Sequence, residues 1–179
     1  AVLGLILTSD GFRVLSWSQD MTMRLWDLES GECLQIFEEH KCRVNGVQLM
    51  SDGSRALSWS EDRTLRLWEL ESGMCLRVFK GHEDGVDGML LKSDERLILS
   101  WSKDQTLRLW SIESGECLRI FNGHKNRIKG MVLTPAEDRV LSWSCDDTLR
   151  LWDIGSGECI RVFKGHEDDV WGALLVSDG

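Results

Sequence analysis

Residues 141–153 read Leu-Ser-Trp-Ser-Cys-Asp-Asp-Thr-Leu-Arg-Leu-Trp-Asp, and this segment is one copy of a repeat. Nearly the same thirteen residues occur at 15–27, 57–69 and 99–111, so that successive copies begin 42 residues apart. A histidine recurs at the same interval, at His40, His82, His124 and His166. A fixed period of this length indicates a repeat protein in which each copy forms one structural unit.

Each copy divides into four short segments with the patterning of β-strands. In the second copy these segments are 44–50, 55–59, 64–68 and 74–79, and Ser, Asp and Gly fill the turns between them. Four strands in a period of about 40–45 residues predict the blade of a β-propeller. We therefore predict an all-β chain with blades at about 1–42, 43–84, 85–126 and 127–168. A surplus first strand is predicted at 169–179, for a further blade or for the blade of a partner.

The pairs that end the strands point to a family. The chain resembles WD-repeat proteins over its whole length, through the pairs Trp26-Asp27, Trp152-Asp153, Gly81-His82, Gly123-His124 and Gly165-His166. Departures are few: Glu39 replaces a glycine, and a tryptophan such as Trp59 stands where the family often has a small residue, which predicts tight packing between blades. Copies as similar as these are typical of recently amplified propellers, which the family shows in bacteria and especially in cyanobacteria.

Composition narrows the classes of function. Hydrophobic residues make up 42% of the 179 and charged residues 28%, which is the balance of a soluble globular protein. The net charge of -9 disfavours a nucleic acid or an anionic membrane as partner. The six cysteines form no Cys-x-x-Cys pair, so we predict reduced thiols, a cytoplasmic location, and neither a cofactor nor a metal site.

A Ser, a His and an Asp recur together, which is the composition of a nucleophilic triad. The set occurs in every copy, however, and a catalytic site is rarely built four times. The resemblance implies instead a structural, hydrogen-bonded tetrad with the blade tryptophan, in which Ser58 is preferred over Ser60. The predicted tetrads are His40, Ser58, Asp62 and Trp68; His82, Ser100, Asp104 and Trp110; His124, Ser142, Asp146 and Trp152; and Ser16, Asp20 and Trp26 completed by His166.

The four copies differ from one another mainly in two loops, the one after each histidine and the turn around each tetrad aspartate. Strand alternation places both loops at one edge of the blade, opposite the nearly constant Glu-Ser-Gly turns. Loops on a rigid scaffold commonly carry binding specificity, although exposed loops also drift. The candidate binding face is Arg43, Asn45, Asp87, Arg127, Lys129, Trp171, Glu61, Arg63, Lys103 and Gln105.

These observations predict a non-enzymatic scaffold that binds an unknown protein or peptide at the loop face. We further predict that two chains form a homodimer that closes into one eight-bladed ring, because a blade buries both faces against its neighbours. Two alternatives remain open. The chain could be a purely structural assembly module, or a fragment excised from a longer propeller with no ligand of its own.

Overall fold

The computed structural model describes residues 1–175, and in that range it contains strands and no helix. The strands are β1 Val2–Leu7, β2 Arg13–Ser18, β3 Met23–Asp27, β4 Cys33–Phe37, β5 Val44–Leu49, β6 Arg55–Ser60, β7 Thr64–Glu69, β8 Cys75–Lys80, β9 Val86–Leu91, β10 Leu97–Ser102, β11 Leu107–Ser111, β12 Cys117–Phe121, β13 Ile128–Leu133, β14 Arg139–Ser144, β15 Leu149–Asp153 and β16 Cys159–Phe163.

The strands form four antiparallel sheets of four, each taken from consecutive strands. The first sheet is β1–β4, the second β5–β8, the third β9–β12 and the fourth β13–β16, and in each the spatial order follows the chain. The prediction of an all-β chain with four strands in each 42-residue copy is thus confirmed. Since the strands run up and down, the His loops and the Asp turns share one edge of a sheet, here called the loop edge. The other two turns share the opposite edge, the turn edge.

The chain divides into two compact units, Ala1–Val86 and a second that begins at Asp87. In the first unit, apolar side chains of the first two sheets interdigitate to form one core, with Leu15, Met23, Leu25, Phe37, Val44, Val47, Ala56, Trp68 and Leu70. The third and fourth sheets form an equivalent core in the second unit, with Leu99, Leu107, Leu109, Phe121, Ile128, Met131, Val140, Trp152 and Ile154. Each unit is therefore a pair of sheets around its own apolar interior.

A glycine and a tryptophan pair inside every sheet. Gly46 of β5 lies opposite Trp59 of β6, and a Cβ placed on that glycine would stand only 2.1 Å from the indole ring. The indole covers its own sheet at this point, while Trp17 and Trp101 also reach the cores of their units. The tryptophan expected to tighten packing between blades therefore acts within its sheet as well, because it needs the space that the glycine leaves.

The predicted surplus strand is not formed where the structure describes the segment. Residues 169–175 have no strand conformation, and the rest of the predicted strand, 176–179, lies outside the described residues. A strand needs a neighbour for its backbone hydrogen bonds, so this part of the prediction stays untested in a single chain. Among residues 1–175 there is also no helix long and apolar enough to cross a membrane.

Candidate functional site

One predicted tetrad in the first unit forms a continuous chain of hydrogen bonds. The indole Nε1 of Trp68 donates to Ser58 Oγ over 2.8 Å. Ser58 Oγ lies 2.7 Å from His40 Nε2, and His40 Nδ1 lies 2.7 Å from Asp62 Oδ2. The sheet builds this chain by joining a loop residue, a residue in mid-strand, a turn residue and the end of the next strand.

The second unit repeats this geometry. Trp152 Nε1 donates to Ser142 Oγ over 2.9 Å, Ser142 Oγ lies 2.8 Å from His124 Nε2, and His124 Nδ1 lies 2.8 Å from Asp146 Oδ2. Both histidines are at least nine-tenths buried, and the two serines have no exposed surface. The two sets agree within about 0.1 Å, so the arrangement is a property of the repeat and not of one place in the chain.

The two end residues of each tetrad, tryptophan and aspartate, fix the direction of every hydrogen bond in it. The indole of Trp68 can only donate, so Ser58 accepts there and is left to donate to His40 Nε2. The ionised Asp62 can only accept, so His40 donates from Nδ1. The neutral tautomer with its proton on Nδ1 satisfies all partners at once. A serine held in this way has no exposed surface, and its proton is already directed at the histidine.

Electrostatics favour the same neutral histidine. Burial lowers the pKa of His124, and this outweighs the opposing effect of its bond to Asp146. Burial alone would raise the pKa of Asp146, but bonds from Thr148, the Lys125 amide and His124 lower it to about 2. The pKa of Asp62 is lowered in the same way, with His40 and Thr64 as the leading donors. At neutral pH Asp146 is therefore charged and His124 is neutral.

Asp62, the tetrad aspartate, also accepts hydrogen bonds from both loops at the loop edge. Asp62 Oδ2 accepts the Lys41 amide over 2.9 Å, and its Oδ1 accepts both the amide and the hydroxyl of Thr64. Ser60 contributes from the other side, because its Oγ accepts the Asp62 amide and donates to Arg43 O over 2.8 Å. Our sequence reasoning did not assign roles to Ser60 and Thr64. Their constancy in all four copies was the available signal.

Two of the predicted tetrads are not complete within one unit. In the first sheet Trp26 donates to Ser16 over 2.9 Å, but the first unit brings no histidine to Ser16 and Asp20. His166 belongs to the second unit, where it is exposed. The remaining set divides between units: His82 belongs to the first unit and Ser100, Asp104 and Trp110 to the second, where Trp110 donates to Ser100 over 2.8 Å.

The charged side chains of the candidate binding face pair with one another more than the sequence suggests. Arg43 Nη2 donates to Glu61 over 2.8 Å and its Nε to Asn45 over 3.0 Å, while Asn45 Nδ2 donates to Val86 O. The expected basic island at Arg43 therefore carries a compensating carboxylate at close range. The reason is that residues 18 positions apart in sequence meet across the loop edge.

The second unit has the same feature between its two sheets. Arg127 donates two hydrogen bonds of 2.7 Å each to Asp87, so the positive charge expected at Arg127 is also compensated. Lys129 lies 4.2 Å from the ring centre of Trp171, whose side chain is 74% exposed. This geometry is that of a cation–π pair, and it leaves most of the Trp171 side chain exposed.

Three further predicted binding residues lie at the tight turns before β7 and β11. Arg63 and Gln105 are exposed and have left-handed backbone angles, with φ of 70° and 71°, while Lys103 is half-buried. A left-handed residue in a tight turn projects its side chain from the sheet edge. Arg63 and Gln105 are thus exposed to a partner, whereas Arg43 and Arg127 are each paired with a carboxylate.

The repeated arginine of the third strand packs inward. Arg66 pairs with Glu39, and its guanidinium lies 5.8 Å from the ring centre of Trp68. Arg150 lies equally close to Trp152, and a Cβ on Gly123 would meet its guanidinium at 2.7 Å. At both places the arginine packs against the tryptophan of its own strand. In the second sheet the glutamate that replaces the usual glycine supplies the counter-charge.

Metal and disulfide chemistry have little support in residues 1–175. No group of three or more His, Cys, Asp or Glu in that range could hold a metal ion. The six cysteines are free thiols, and burial raises the pKa of Cys75 and Cys145 above the ordinary value. A raised pKa keeps a thiol protonated and weakly nucleophilic.

Comparison with known proteins agrees with the repeat and its geometry. The family model for the WD domain, G-beta repeat, matches residues 31–69, 73–111 and 115–153. Each match runs from the last strand of one sheet through the first three strands of the next, so the sequence repeat is offset from the sheet. The chain has no match among the curated proteins. Domains of this kind are generally protein-interaction scaffolds and typically non-catalytic. With more than half of its residues matched by the repeat, the chain belongs to the WD-repeat family.

Proposed function

We propose that the chain is a non-enzymatic scaffold for protein interactions, and that two copies close into one eight-bladed ring. The observation that carries the proposal is a pair of unfilled contacts on the first and fourth sheets. Each is one half of a contact that is complete inside the units.

The complete contact joins two neighbouring sheets by aromatic residues. Phe37 of the first sheet meets Trp68 of the second, with ring centres 5.5 Å apart, and Phe37 is 2% exposed. In the fourth sheet the equivalent residue, Phe163, is 42% exposed. In the first sheet the equivalent tryptophan, Trp26, is only partly buried, whereas Trp68 is 1% exposed. Phe163 thus lacks a tryptophan and Trp26 lacks a phenylalanine.

The polar residues of the tetrads show the same two incomplete contacts, on the first and fourth sheets. His166 is exposed, and Ser16, Asp20 and Trp26 lack the histidine that the other tetrads use. His40 and Asp62 are 22 residues apart. If a second chain continues the repeat after the first, His166 of one chain has this same spacing from Asp20 of the other. Apolar and polar halves therefore match at the same surfaces, and two such junctions related by a two-fold axis would close a ring of eight sheets.

The non-enzymatic part of the proposal is supported by the burial of Ser58 and Ser142, whose hydroxyls are fully engaged. The partner would bind at the loop edge of the second unit, where Gln105 and Trp171 are exposed. Arg43 and Arg127 are each paired with a carboxylate, which argues against a strongly acidic partner at these two residues. This pairing favours the second candidate function, a purely structural module.

The mass in solution tests the ring. Light scattering should give about 41 kDa, twice the chain mass of 20.4 kDa. Phe163→Glu should reduce this to one chain mass while circular dichroism stays unchanged, because Phe163 is already 42% exposed in the single chain. Met74→Glu is the matched control: Met74 is exposed, the other three copies carry glutamate there, and the mass should not change.

Two results would contradict the ring. One is a wild-type chain that stays at 20.4 kDa at tens of micromolar concentration with a cooperative melt. The other is a larger assembly that Phe163→Glu leaves intact. A peptide-binding activity that survives in the Phe163→Glu monomer would retain the scaffold function and reject only the need for the ring.

A further inference from the structure

We infer that the two chains exchange a strand where they meet: residues 169–175 of each chain replace β1 on β2 of the other. The inference rests on the proposed function, because it concerns the junctions between two copies. Residues 1–7 and 169–175 occupy equivalent positions of the repeat, four copies apart. Each junction takes a single first strand, so one of these two segments has to leave.

Ala1 holds, in the first sheet, a backbone position that belongs to the histidine loop in the second. Its carbonyl accepts hydrogen bonds from Ser18 Oγ over 3.0 Å and from the Gln19 amide over 2.9 Å. In the second sheet the carbonyl of Arg43 accepts the two equivalent bonds, the one from Ser60 Oγ over 2.8 Å. Ala1 therefore fills the acceptor position at which a histidine loop ends.

The loop that begins at His166 brings a second acceptor to the same place. In the complete tetrad of the second sheet, Arg43 at the acceptor position follows His40 by three residues. Asp169 follows His166 by the same three residues. When His166 completes the tetrad of the partner, Asp169 O therefore arrives where Ala1 O lies, and the two carbonyls exclude each other.

The fourth sheet already holds the start of the replacing segment. Val170 is 5% exposed, and its amide donates to Ser144 O over 3.4 Å. The equivalent residues Val86 and Ile128, which begin β9 and β13, are buried in the same way. Val2, which begins β1, is 67% exposed. Val170 therefore has the burial of a residue that begins a strand between two sheets, whereas Val2 does not.

A charge also distinguishes the two segments. In the complete junction of the second unit, Arg127 binds Asp87 of the preceding sheet. One repeat further along the chain, Asp169 has the position of Arg127 and Lys129 has that of Asp87, with the signs exchanged. Ala1, at the position equivalent to Asp169, has no charge to offer Lys129. The ion pair of the complete junction is thus reproduced only by the segment that begins at Asp169.

The replacing segment also satisfies the strictest steric requirement of β2. Gly4 lies opposite Trp17, and a Cβ placed on Gly4 would stand 2.2 Å from the indole ring. Gly172 is the equivalent residue, so the segment brings a glycine to the same indole. Residues 173–175 are all apolar, and within residues 1–175 no strand pairs with them. β2 of the partner supplies the backbone hydrogen bonds that these residues need.

The exchange adds contacts without a loss of strand pairing. β1 gives up its antiparallel ladder with β2, and the segment of the partner forms an equivalent ladder in its place. His166 then reaches Ser16 and Asp20, to which the first unit brings no histidine. A ring that keeps β1 leaves residues 169–175 unpaired and His166 outside the tetrad.

Two glycine variants, compared by sedimentation equilibrium of the full chain, test the exchange. Gly172→Val should raise the dissociation constant of the dimer by about tenfold or more, because the added side chain overlaps Trp17 of the partner. No atom lies within 4 Å of a Cβ on Gly172 in the single chain, so circular dichroism should not change. Gly4→Val is the matched control. It should leave the dissociation constant equal or lower, because it weakens only the strand that is displaced.

A disulfide identifies the neighbour of β2 directly, even if Gly4→Val folds poorly. The background is a chain whose six native cysteines are replaced by serine. Val14→Cys with Leu175→Cys should give a covalent dimer on mild oxidation, because Leu175 takes the place of Leu7 opposite Val14. Val14→Cys with Leu7→Cys should stay largely reduced in the dimer.

The opposite results overturn the exchange and leave the ring intact. They are a dimer that Gly4→Val dissociates and Gly172→Val does not, and a disulfide that forms within one chain between positions 7 and 14. A wild-type chain that stays at one chain mass overturns the ring, and the exchange with it. The two failures are therefore distinguishable.

Discussion

Phe37 meets Trp68 edge to ring, with ring centres 5.5 Å apart and planes inclined by 78°, and this contact joins the first sheet to the second. Phe121 and Trp152 repeat it in the second unit at 5.9 Å and 76°. In both units an aromatic residue at the end of a fourth strand covers the tryptophan whose indole donates to the tetrad serine. The apolar junction and the buried polar chain are therefore one cooperative structure.

Phe37→Ala should lower the free energy of unfolding by about 3–5 kcal/mol, because it leaves a cavity against Trp68 at the centre of the core. Phe12→Ala is the control, since Phe12 is 72% exposed and its removal should change stability by less than about 0.5 kcal/mol. Urea unfolding followed by tryptophan fluorescence measures both. Equal losses in the two variants would refute the importance of the junction.

His40→Ala should lower the free energy of unfolding by about 2–4 kcal/mol, because it leaves the buried Ser58 and the charge of Asp62 without a partner. His166→Ala, made in the Phe163→Glu background to keep the chain monomeric, is the control, because His166 is exposed there. Thermal and urea unfolding give the comparison. An unchanged melt for His40→Ala would argue against a structural role of the tetrad.

Stability should decrease as the pH falls from 7.5 to 5. Burial holds the native pKa of His124 below its ordinary value of 6.5, so protons bind the unfolded chain in preference. This contribution is complete above about pH 6.5 and is lost as the pH approaches the lowered native pKa. Asp146, with a native pKa of about 2, adds a second contribution that is present above about pH 4 and lost towards pH 2.

Urea unfolding at a series of pH values measures this dependence. His124→Gln removes the titrating group, so the stability difference between wild type and variant should shrink between pH 7.5 and 5. A difference that stays constant over that range would contradict a neutral, buried His124.

Gly46→Ala should destabilise the second sheet by about 1–3 kcal/mol, since the added methyl group would overlap the indole of Trp59. Gly155→Ala is the matched control, because the nearest atom to a Cβ there is Asp153 Oδ1 at an ordinary 3.4 Å. Thermal denaturation of both variants tests the expectation. A Gly46→Ala protein as stable as the wild type would show that the indole can move aside.

The pair of Asp87 and Arg127 should show a coupling of about 1 kcal/mol in a double-mutant cycle with alanine, because its two bonds are bidentate and Asp87 is largely buried. The corresponding positions of the next junction are Lys129 and Asp169, with the signs exchanged. The double variant Asp87→Lys, Arg127→Asp should therefore recover part of the stability that either single change loses. Additive losses would exclude a direct interaction.

The strand pattern and its period can be predicted from the sequence alone, because strand alternation, turn glycines and the recurrence of Trp68 every 42 residues are local properties of the chain. It also grouped the residues of the tetrads, through the resemblance to WD repeats. It could not derive from the pattern which serine meets the histidine. Ser58 and Ser60 are two positions apart and lie on the same face of a strand.

Contacts between distant positions depend on how the sheets fold and pack. Ser58 binds His40 while Ser60 binds the loop backbone, because the histidine loop crosses the sheet at the level of Ser58. Arg127 binds Asp87, which lies 40 positions away in the sequence. This contact compensates the positive charge that the sequence suggested was available to a partner. Leu97 and Gly155 likewise line one groove between the third and fourth sheets only because those sheets pack together. Such contacts depend on sheet packing, which no local pattern encodes.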